Sequence, residues 1–328
     1  MELPKVTRHA PRVSQHAWSS PQMKRTSRSR LLRLILPLSA TLLLSGCHWA
    51  VLNPAGPIGV AEKWIIDTAI GLMLLVVAPV IILTLVIAWR YRASNTKARY
   101  EPDWCHSTKI ELTMWGIPVV IVCFLGVMAW RGSHQLNPYH PTVLSNVKPV
   151  HIEAVAMDWK WLFIYPNHNV AAVNQVAIPV GVPVVFHITS ATVMNSFFIP
   201  RLGSQIYAMG NMQTADNLVA SAPGTYRGIS ANFSGGGFSG MVFHVQAMKE
   251  SDYKRWLAHA AASSKTLDVK TYLKLDRPSS NVPVTYYAHV DPDLYAQILE
   301  GKLAPGRSLA MKATTLTSGG ETGPIGRD

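Results

Sequence analysis

Two long apolar runs dominate the first half of the chain. Residues 68–89 and 112–130 carry no charged side chain. At 1.5 Å per helical residue the first run extends over about 33 Å, enough to cross the hydrocarbon core of a bilayer. Two buried helices of a soluble domain would be the alternative, but neither run has a polar face. The pattern predicts a hairpin of transmembrane helices over 64–90 and 110–131, joined by a loop over 91–109.

A third apolar run, over residues 34–44, is too short to span a bilayer. It follows a basic stretch and ends in Leu44-Ser45-Gly46-Cys47. This arrangement is typical of a secretory signal peptide, predicted here over 1–46. The last four residues resemble the lipobox of bacterial lipoproteins, in which the cysteine is acylated; the alternative is a chance cysteine after an ordinary signal peptide. The long segment before Met23 suggests that Met23 is the true start.

The charge of the loop between the two long runs predicts the orientation of the hairpin. The loop and its flanks hold Arg90, Arg92, Lys97, Arg99 and Lys109 against Glu101 and Asp103. Loops with a basic excess stay in the cytoplasm. A lipidated N-terminus over 47–63, outside the cytoplasm, leads to the same orientation. We therefore expect a bacterial inner-membrane protein whose chain after about residue 131 is periplasmic.

After a proline-containing linker over 132–149, short alternating stretches separated by glycine and proline predict β-strands. The predicted strands are Val150–Ala156, Trp159–Ile164, Gln175–Ile178, Pro183–Thr189, Gln205–Met209, Asn217–Ala220, Thr225–Ile229 and Met241–Met248. Many short strands within 150–250 favour a Greek-key sandwich or barrel. Residues 251–303 are predicted to be helical, over Ser251–Ala262 and from Asp291 to near Gly301. Residues 304–328, poor in large apolar groups, are predicted to be a disordered tail.

The composition excludes several classes of protein and of binding site. The 328 residues are 48% hydrophobic and 15% charged, against about 25% charged in ordinary soluble proteins. The net charge of +12 comes mostly from the first 33 residues, so it does not indicate a nucleic-acid partner. The cysteines are Cys47, Cys105 and Cys123. Because none follows residue 123, the external domain can hold neither a disulfide nor a thiolate-bound metal.

Three stretches carry a resemblance to a known family: Met157–Trp161, Val193–Gln205 and Gly228–Met241. Together with the signal peptide, the hairpin and the external β domain, they resemble subunit II of the haem–copper respiratory oxidases, in the ubiquinol-oxidising branch of the cytochrome bo type. The resemblance implies an all-β, cupredoxin-like fold for residues 150–250. Trp159 and Trp161 resemble an aromatic pair that passes electrons to copper in relatives; without copper we expect them to have a packing role.

The resemblance also identifies vacated ligand positions. In the cytochrome c branch this domain binds two copper ions through two histidines, two bridging cysteines, a backbone carbonyl and a methionine. In this chain the two histidine positions are Asn195 and Phe238, and the two cysteine positions are Ser230 and Ser234. The carbonyl position is Asn232 and the methionine position is Met241. Only Met241 keeps the ligand type, and a hydroxyl cannot replace a bridging thiolate. The resemblance therefore implies no catalytic residue, metal or cofactor on this chain, with haems and copper in subunit I.

Two other groups of residues lack the full pattern of a binding site. His151, His187 and His244 lie in predicted strands without the close spacing of metal ligands. The run Gly235–Gly237 could cradle a phosphate, but it lacks a following lysine, so we interpret it as a loop retained from the metal site.

These observations predict a non-catalytic subunit of a proton-pumping terminal oxidase that passes electrons from ubiquinol to oxygen. Its expected partners are subunit I, further small membrane subunits and the bilayer. Acidic and basic residues balance within 150–250, so no docking of cytochrome c is expected. By the resemblance, Glu111 lies at the mouth of a proton-uptake path; the alternative is an interfacial glutamate at a helix N-terminus. The rival function is a free-standing, membrane-anchored cupredoxin-like protein that binds or delivers copper.

Overall fold

The computed structural model describes residues 49–99, 101, 103, 105–139 and 147–303. The predicted signal peptide, Cys47 and the predicted tail lie outside the described residues. Two helices come first, α1 (Pro57–Arg90) and α2 (Thr108–Gln135). Both are long and apolar enough to cross a membrane, judged by length and composition.

Helix α1 begins before the predicted span, where it contacts the β domain. Its first residue is Pro57, whose missing N–H costs nothing in the first turn. The N–H of Gly59 donates to the carbonyl of Leu202 at 3.1 Å. A Cβ on Gly56 would lie 2.2 Å from the carbonyl oxygen of Val219, so this approach requires glycine. The start of α1 is therefore packed on the β domain.

The twelve strands formed by the described residues make two sheets. In chain order they are β1 (Val150–Met157), β2 (Lys160–Tyr165), β3 (Val170–Val173), β4 (Gln175–Pro179), β5 (Val184–Ser190), β6 (Asn195–Phe198), β7 (Ile206–Ala208), β8 (Thr214–Leu218), β9 (Gly224–Ser230), β10 (Val242–Met248), β11 (Thr266–Leu267) and β12 (Thr285–Val290). One sheet has the order β11-β12-β3-β2-β1-β5-β8 and the other β4-β10-β9-β6-β7. The predicted fold class, two apolar helices with a mainly β domain and a short helical C-terminal region, is confirmed.

Aromatic side chains from both sheets fill the core. Trp161 and Phe163 of β2 meet Phe197 of β6 and Phe243 of β10, with ring centroids 5.1–6.4 Å apart. All four side chains are fully buried. Rings at these separations pack favourably in tilted and edge-to-face arrangements. The cluster fixes β6 and β10 relative to β2, and these strands flank the vacated ligand positions.

The two helices predicted within 251–303 are present, but the segment also contains a third helix and two strands that were not predicted. The segment holds α3 (Glu250–Ala261), α4 (Val269–Leu275) and α5 (Leu294–Leu299), but also β11 and β12. Strand β12 extends the first sheet by pairing with β3. Strand β3 was not predicted either. Neither strand alternates between buried and exposed positions, so both lack the pattern on which strand prediction depends. Behind this sheet, Tyr272 and Leu294 pack on Val155 and Leu162 in a second hydrophobic cluster.

Candidate functional site

Strand β6 and the loop between β9 and β10 bring the vacated ligand positions together. β6 begins at Asn195, β9 ends at Ser230 and Met241 directly precedes β10. β6 and β9 pair in antiparallel register. Beyond the end of β9, the N–H of Ala231 donates to the carbonyl of Ser196 at 3.1 Å. The loop therefore begins against β6.

Asn195 and Ser230 satisfy each other's hydrogen-bonding needs. Both are buried, with 1% and 5% of their surface exposed. The Ser230 hydroxyl donates to Oδ1 of Asn195 at 2.9 Å, and Nδ2 of Asn195 donates to the carbonyl of Val193 at 3.1 Å. Buried polar groups are stable only when paired in this way. The oxygen atoms that could face a metal are thus engaged within the protein.

The other four positions lie in the loop itself. Met241 is buried, and its Sδ lies 4.0 Å from the hydroxyl oxygen of Ser234. Phe238 begins a single 3-10 turn. Nδ2 of Asn232 donates to the carbonyl of Met194 at 3.1 Å. Two of the predicted positions therefore meet directly here, Ser234 and Met241.

The indole of Trp159 occupies the space beside the glycine run. Trp159 has a φ of 64°, uncommon for a bulky residue, and its Nε1 donates to the carbonyl of Ser234 at 3.0 Å. A Cβ on Gly237 would lie 2.3 Å from Cδ2 of this ring, and one on Gly235 would lie 3.2 Å from Cζ2. These glycines therefore let the indole approach the backbone, which explains them without a phosphate ligand.

Comparison with known proteins identifies the family. The family model described as COX Aromatic Rich Motif matches residues 261–301. The ubiquinol oxidase subunit 2 of Acetobacter aceti is 54% identical over 263 residues, which cover 80% of this chain and 85% of the relative. This chain belongs to the ubiquinol oxidase subunit 2 family.

Further relatives of this chain belong to the same family. The cytochrome bo(3) ubiquinol oxidase subunit 2 of Pseudomonas aeruginosa is 52% identical over 264 residues, covering 80% of each chain. The quinol oxidase subunit 2 of Bacillus cereus is 37% identical over 265 residues, covering 79% of this chain and 91% of the relative. Among solved structures, the periplasmic domain of cytochrome oxidase subunit II from Bradyrhizobium japonicum matches with a TM-score of 0.34 and 17% identity, covering 36% of this chain and 96% of that one. The predicted family is confirmed.

A two-copper centre does not fit the residues of this ubiquinol oxidase subunit. Such a centre needs bridging thiolates and imidazoles, whereas Ser230 and Ser234 offer neutral hydroxyls and Phe238 offers no lone pair. Met241 keeps a thioether, which is a weak ligand by itself. Among the residues that the structure describes, no group of three or more His, Cys, Asp or Glu side chains could hold a metal ion.

Glu111 lies in the first turn of α2. Its Oε1 is 2.7 Å from Nδ1 of His106, and both side chains are more than half exposed. The helix macrodipole favours an acidic side chain at this position. The structure thus places Glu111 next to a second ionisable group at the end of the helix.

Sequence reasoning missed a pair of histidines. His151 on β1 and His187 on β5 lie on neighbouring parallel strands, with Nδ1 of the first 3.0 Å from Nε2 of the second. Burial lowers the pKa of His187, and His151 lowers it further. Only the pairing of β1 with β5 brings these residues together, so their spacing along the chain gave no sign of the contact.

Two buried charged residues were also missed. Lys160 is fully buried at the start of β2. Asp216 is buried on β8, and its Oδ2 has no hydrogen-bond partner among the described residues. Burial raises the pKa of Asp216 to about 7, and the nearby carboxylate of Glu62 raises it as well. A charged residue in a strand is usually exposed, so no sequence pattern marked either side chain.

Proposed function

We propose that this chain is a non-catalytic subunit of a terminal ubiquinol oxidase that reduces oxygen and moves protons outward. One observation carries the proposal: a buried hydrogen bond joins Ser230 to Asn195, two of the positions at which the cytochrome c branch binds copper. Neither group can accept an electron. A lipid-soluble quinol delivers electrons within the membrane, so an external copper site is dispensable.

The redox chemistry then belongs to a partner. We assign the haems and copper to subunit I, and no redox centre to this chain. The faces of α1 and α2 are apolar and exposed in the single chain, as at Leu83, Val86 and Val120. Surfaces of this kind are stable against lipid or other membrane helices. This supports packing of the hairpin on subunit I and on further small membrane subunits. The balance of acidic and basic residues within 150–250 supports the absence of a docking site for cytochrome c.

We also propose the orientation. The basic loop between the helices supports a cytoplasmic position for that loop. The β domain would then cover the periplasmic face of the complex in the inner membrane. Cys47 would carry the lipid anchor, a palmitate included.

Glu111 is proposed as the mouth of a proton-uptake path. In the proposed orientation the first turn of α2 lies at the cytoplasmic surface, where protons enter. The contact with His106 supports this role, because it places a second side chain that can carry a proton beside the carboxylate.

The test is purification of the intact complex through an affinity tag on this chain, in mild detergent. Oxygen uptake is compared with reduced ubiquinone and with reduced cytochrome c as donor. We expect haem to co-purify and quinol alone to support turnover. Oxidation of cytochrome c would contradict the proposed donor. A preparation without haem, in which cross-linking in intact cells also finds no partner, would favour the free-standing copper-handling protein.

A further inference from the structure

A small cavity lies on the first sheet of the β domain. Its volume is about 290 Å³, at the small end of the range for ligand cavities. Residues from β1, β2, the turn before β3, the end of β12 and α5 line it, among them Glu153, Ile164, Asn169, Asp291 and Tyr295. It shares no lining residue with the vacated ligand positions. This space is called the acidic cavity below.

The acidic cavity is lined by two carboxyl groups and, within the described part of the chain, by no lysine, arginine or histidine. Glu153 is half-buried on β1, and none of the ion pairs formed by the described residues includes it. Burial raises the pKa of Glu153 to about 7, the direction expected for a carboxylate that leaves water without a counter-ion. A cation in the cavity would offset this cost.

The hydroxyl group of Tyr295 is an independent sign of a ligand. Tyr295 lines the cavity and is only 8% exposed, and its hydroxyl has no hydrogen-bond partner among the described residues. Burial raises the pKa of Tyr295 and the carboxylate of Glu153 raises it further, so the two groups lie close enough to influence each other. Because buried hydroxyl groups are nearly always hydrogen-bonded, a molecule in the cavity is expected to supply the partner.

The arrangement of these oxygen atoms favours a primary ammonium group. The two carboxylates and the hydroxyl belong to different elements of the fold. An ammonium ion has three donors that point in different directions, whereas a guanidinium group has its donors in one plane that matches a single carboxylate. Apolar side chains complete the walls, namely Ile164, Pro166, Val290 and Pro292. A methylene chain that carries the ammonium group can pack against them.

We propose that the acidic cavity binds a primary alkylammonium ion, which Glu153, Asp291 and Tyr295 hold. The ammonium group donates hydrogen bonds to the two carboxylates and to the hydroxyl oxygen. It belongs to a free aliphatic amine or to a lysine side chain within the assembled complex, since both present the same chemistry. The proposal gives the β domain a binding site that takes no part in electron transfer.

The test uses a butylamine analogue that carries a photoreactive diazirine on its alkyl chain. The complete oxidase is purified through a tag on this chain, irradiated with increasing amounts of the analogue and digested, and the labelled peptides are identified by mass spectrometry. We expect saturable labelling within 164–169 and 290–295. Excess butylamine should suppress it, whereas butanol, a neutral molecule of the same length, should not. Equal suppression by butanol would show that the cavity does not recognise charge and would overturn the proposal.

A lysine side chain that already fills the cavity would keep the analogue out. The same complex is therefore treated with a carbodiimide without added amine, because this reagent joins a carboxylate to an ammonium group in contact with it, with loss of water. If the analogue does not label the cavity, we expect an amide bond between Glu153 or Asp291 and a lysine, whose peptide identifies the source. A complex that shows neither the saturable label nor this cross-link would overturn the proposal.

Two variants and a matched control test the contacts. Glu153→Gln removes a charge and Tyr295→Phe removes only a hydroxyl group; each should weaken the apparent affinity for butylamine about tenfold, because a hydrogen bond to a charged group is lost. Glu300→Gln removes an exposed carboxylate at the end of α5, where it pairs with Lys302, and should leave the affinity unchanged. Haem content of each purified complex confirms assembly.

For a cavity filled by a lysine, the corresponding measurement is the yield of the cross-link at Asp291. It should fall in Glu153→Gln and Tyr295→Phe and stay constant in Glu300→Gln. Equal affinities, or equal yields, in Glu153→Gln and Glu300→Gln would contradict the assignment of the ammonium site.

Discussion

Nζ of Lys160 donates a hydrogen bond to the carbonyl oxygen of Arg277 at 2.8 Å, across 117 positions of the chain. It also donates to the carbonyl of Asp158 at 3.1 Å and to the hydroxyl of Ser279 at 2.8 Å. Burial lowers the pKa of Lys160, while the carboxylates of Asp276 and Asp158 raise it. One buried ammonium group thus joins the start of β2 to the segment that matches the aromatic-rich motif.

Lys160→Met should destabilise the β domain by about 2–4 kcal/mol, because two carbonyls and a hydroxyl lose a charged donor in a buried site. Thermal unfolding of the purified complex measures the loss, and limited proteolysis should show earlier cleavage within 262–303. The control is Lys254→Met, which removes an exposed ion pair with Glu250 and should change little. An equal change of thermal stability and of proteolysis in the two variants would contradict the role of Lys160 in holding the segment 262–303 on the β domain.

Ser230→Ala should cost about 1–3 kcal/mol, because Oδ1 of Asn195 loses its donor in a buried site. Oxygen uptake per haem should be unchanged, since this pair takes no part in electron transfer. Ser239→Ala, at an exposed position of the same loop, should affect neither quantity. A fall in turnover of the assembled enzyme without loss of stability would show that the site still serves the reaction.

Gly237→Ala should destabilise the protein by about 1–3 kcal/mol, because the new methyl group meets the ring of Trp159. The matched variant is Gly236→Ala, whose Cβ has nothing within 4 Å. Comparison of the two melting temperatures isolates the steric effect from the change of residue type. If Trp159→Leu is added, the cost of Gly237→Ala should shrink; an unchanged cost would show that the ring is not the obstacle.

The sequence predicted the elements better than their contacts. The uncharged runs indicated α1 and α2 directly, because a bilayer-spanning helix needs length and apolarity alone. Strand β12 was missed because it is determined by pairing with β3 and by packing against α3, where Trp256 meets Tyr286, and not by its own pattern. The contacts of Lys160 with Arg277 and of His151 with His187 join distant positions, so only the folded sheet reveals them. The meeting of Asn195 with Ser230 was expected from the family resemblance, not from residue spacing.

Asp216 should make stability fall as the pH rises. Its folded-state pKa is raised from the ordinary 3.8 to about 7, so the folded protein retains a proton that the unfolded chain releases. The free energy of unfolding therefore decreases between about pH 4 and pH 7. The side chain introduced by Asp216→Asn cannot ionise. The free energy of unfolding of this variant, relative to that of the natural protein, should therefore increase by about 2–3 kcal/mol from pH 5 to pH 8. Thermal unfolding at both pH values measures this growth, which should be absent in Asp293→Asn, a control at an exposed position.

Glu111→Ala should slow quinol-driven oxygen uptake several-fold if the carboxylate feeds a proton path, since proton delivery would then limit turnover. Glu111→Asp keeps the carboxylate and should restore most of the rate. Glu101→Ala is the control, because Glu101 is exposed in the loop that precedes α2 and pairs with Arg99. A structural effect at the helix end would lower the stability of the complex in Glu111→Ala without slowing the assembled enzyme. Proton release by intact vesicles distinguishes the two roles: unchanged turnover and unchanged proton release in Glu111→Ala would remove this residue from the mechanism and leave it as a helix-capping charge.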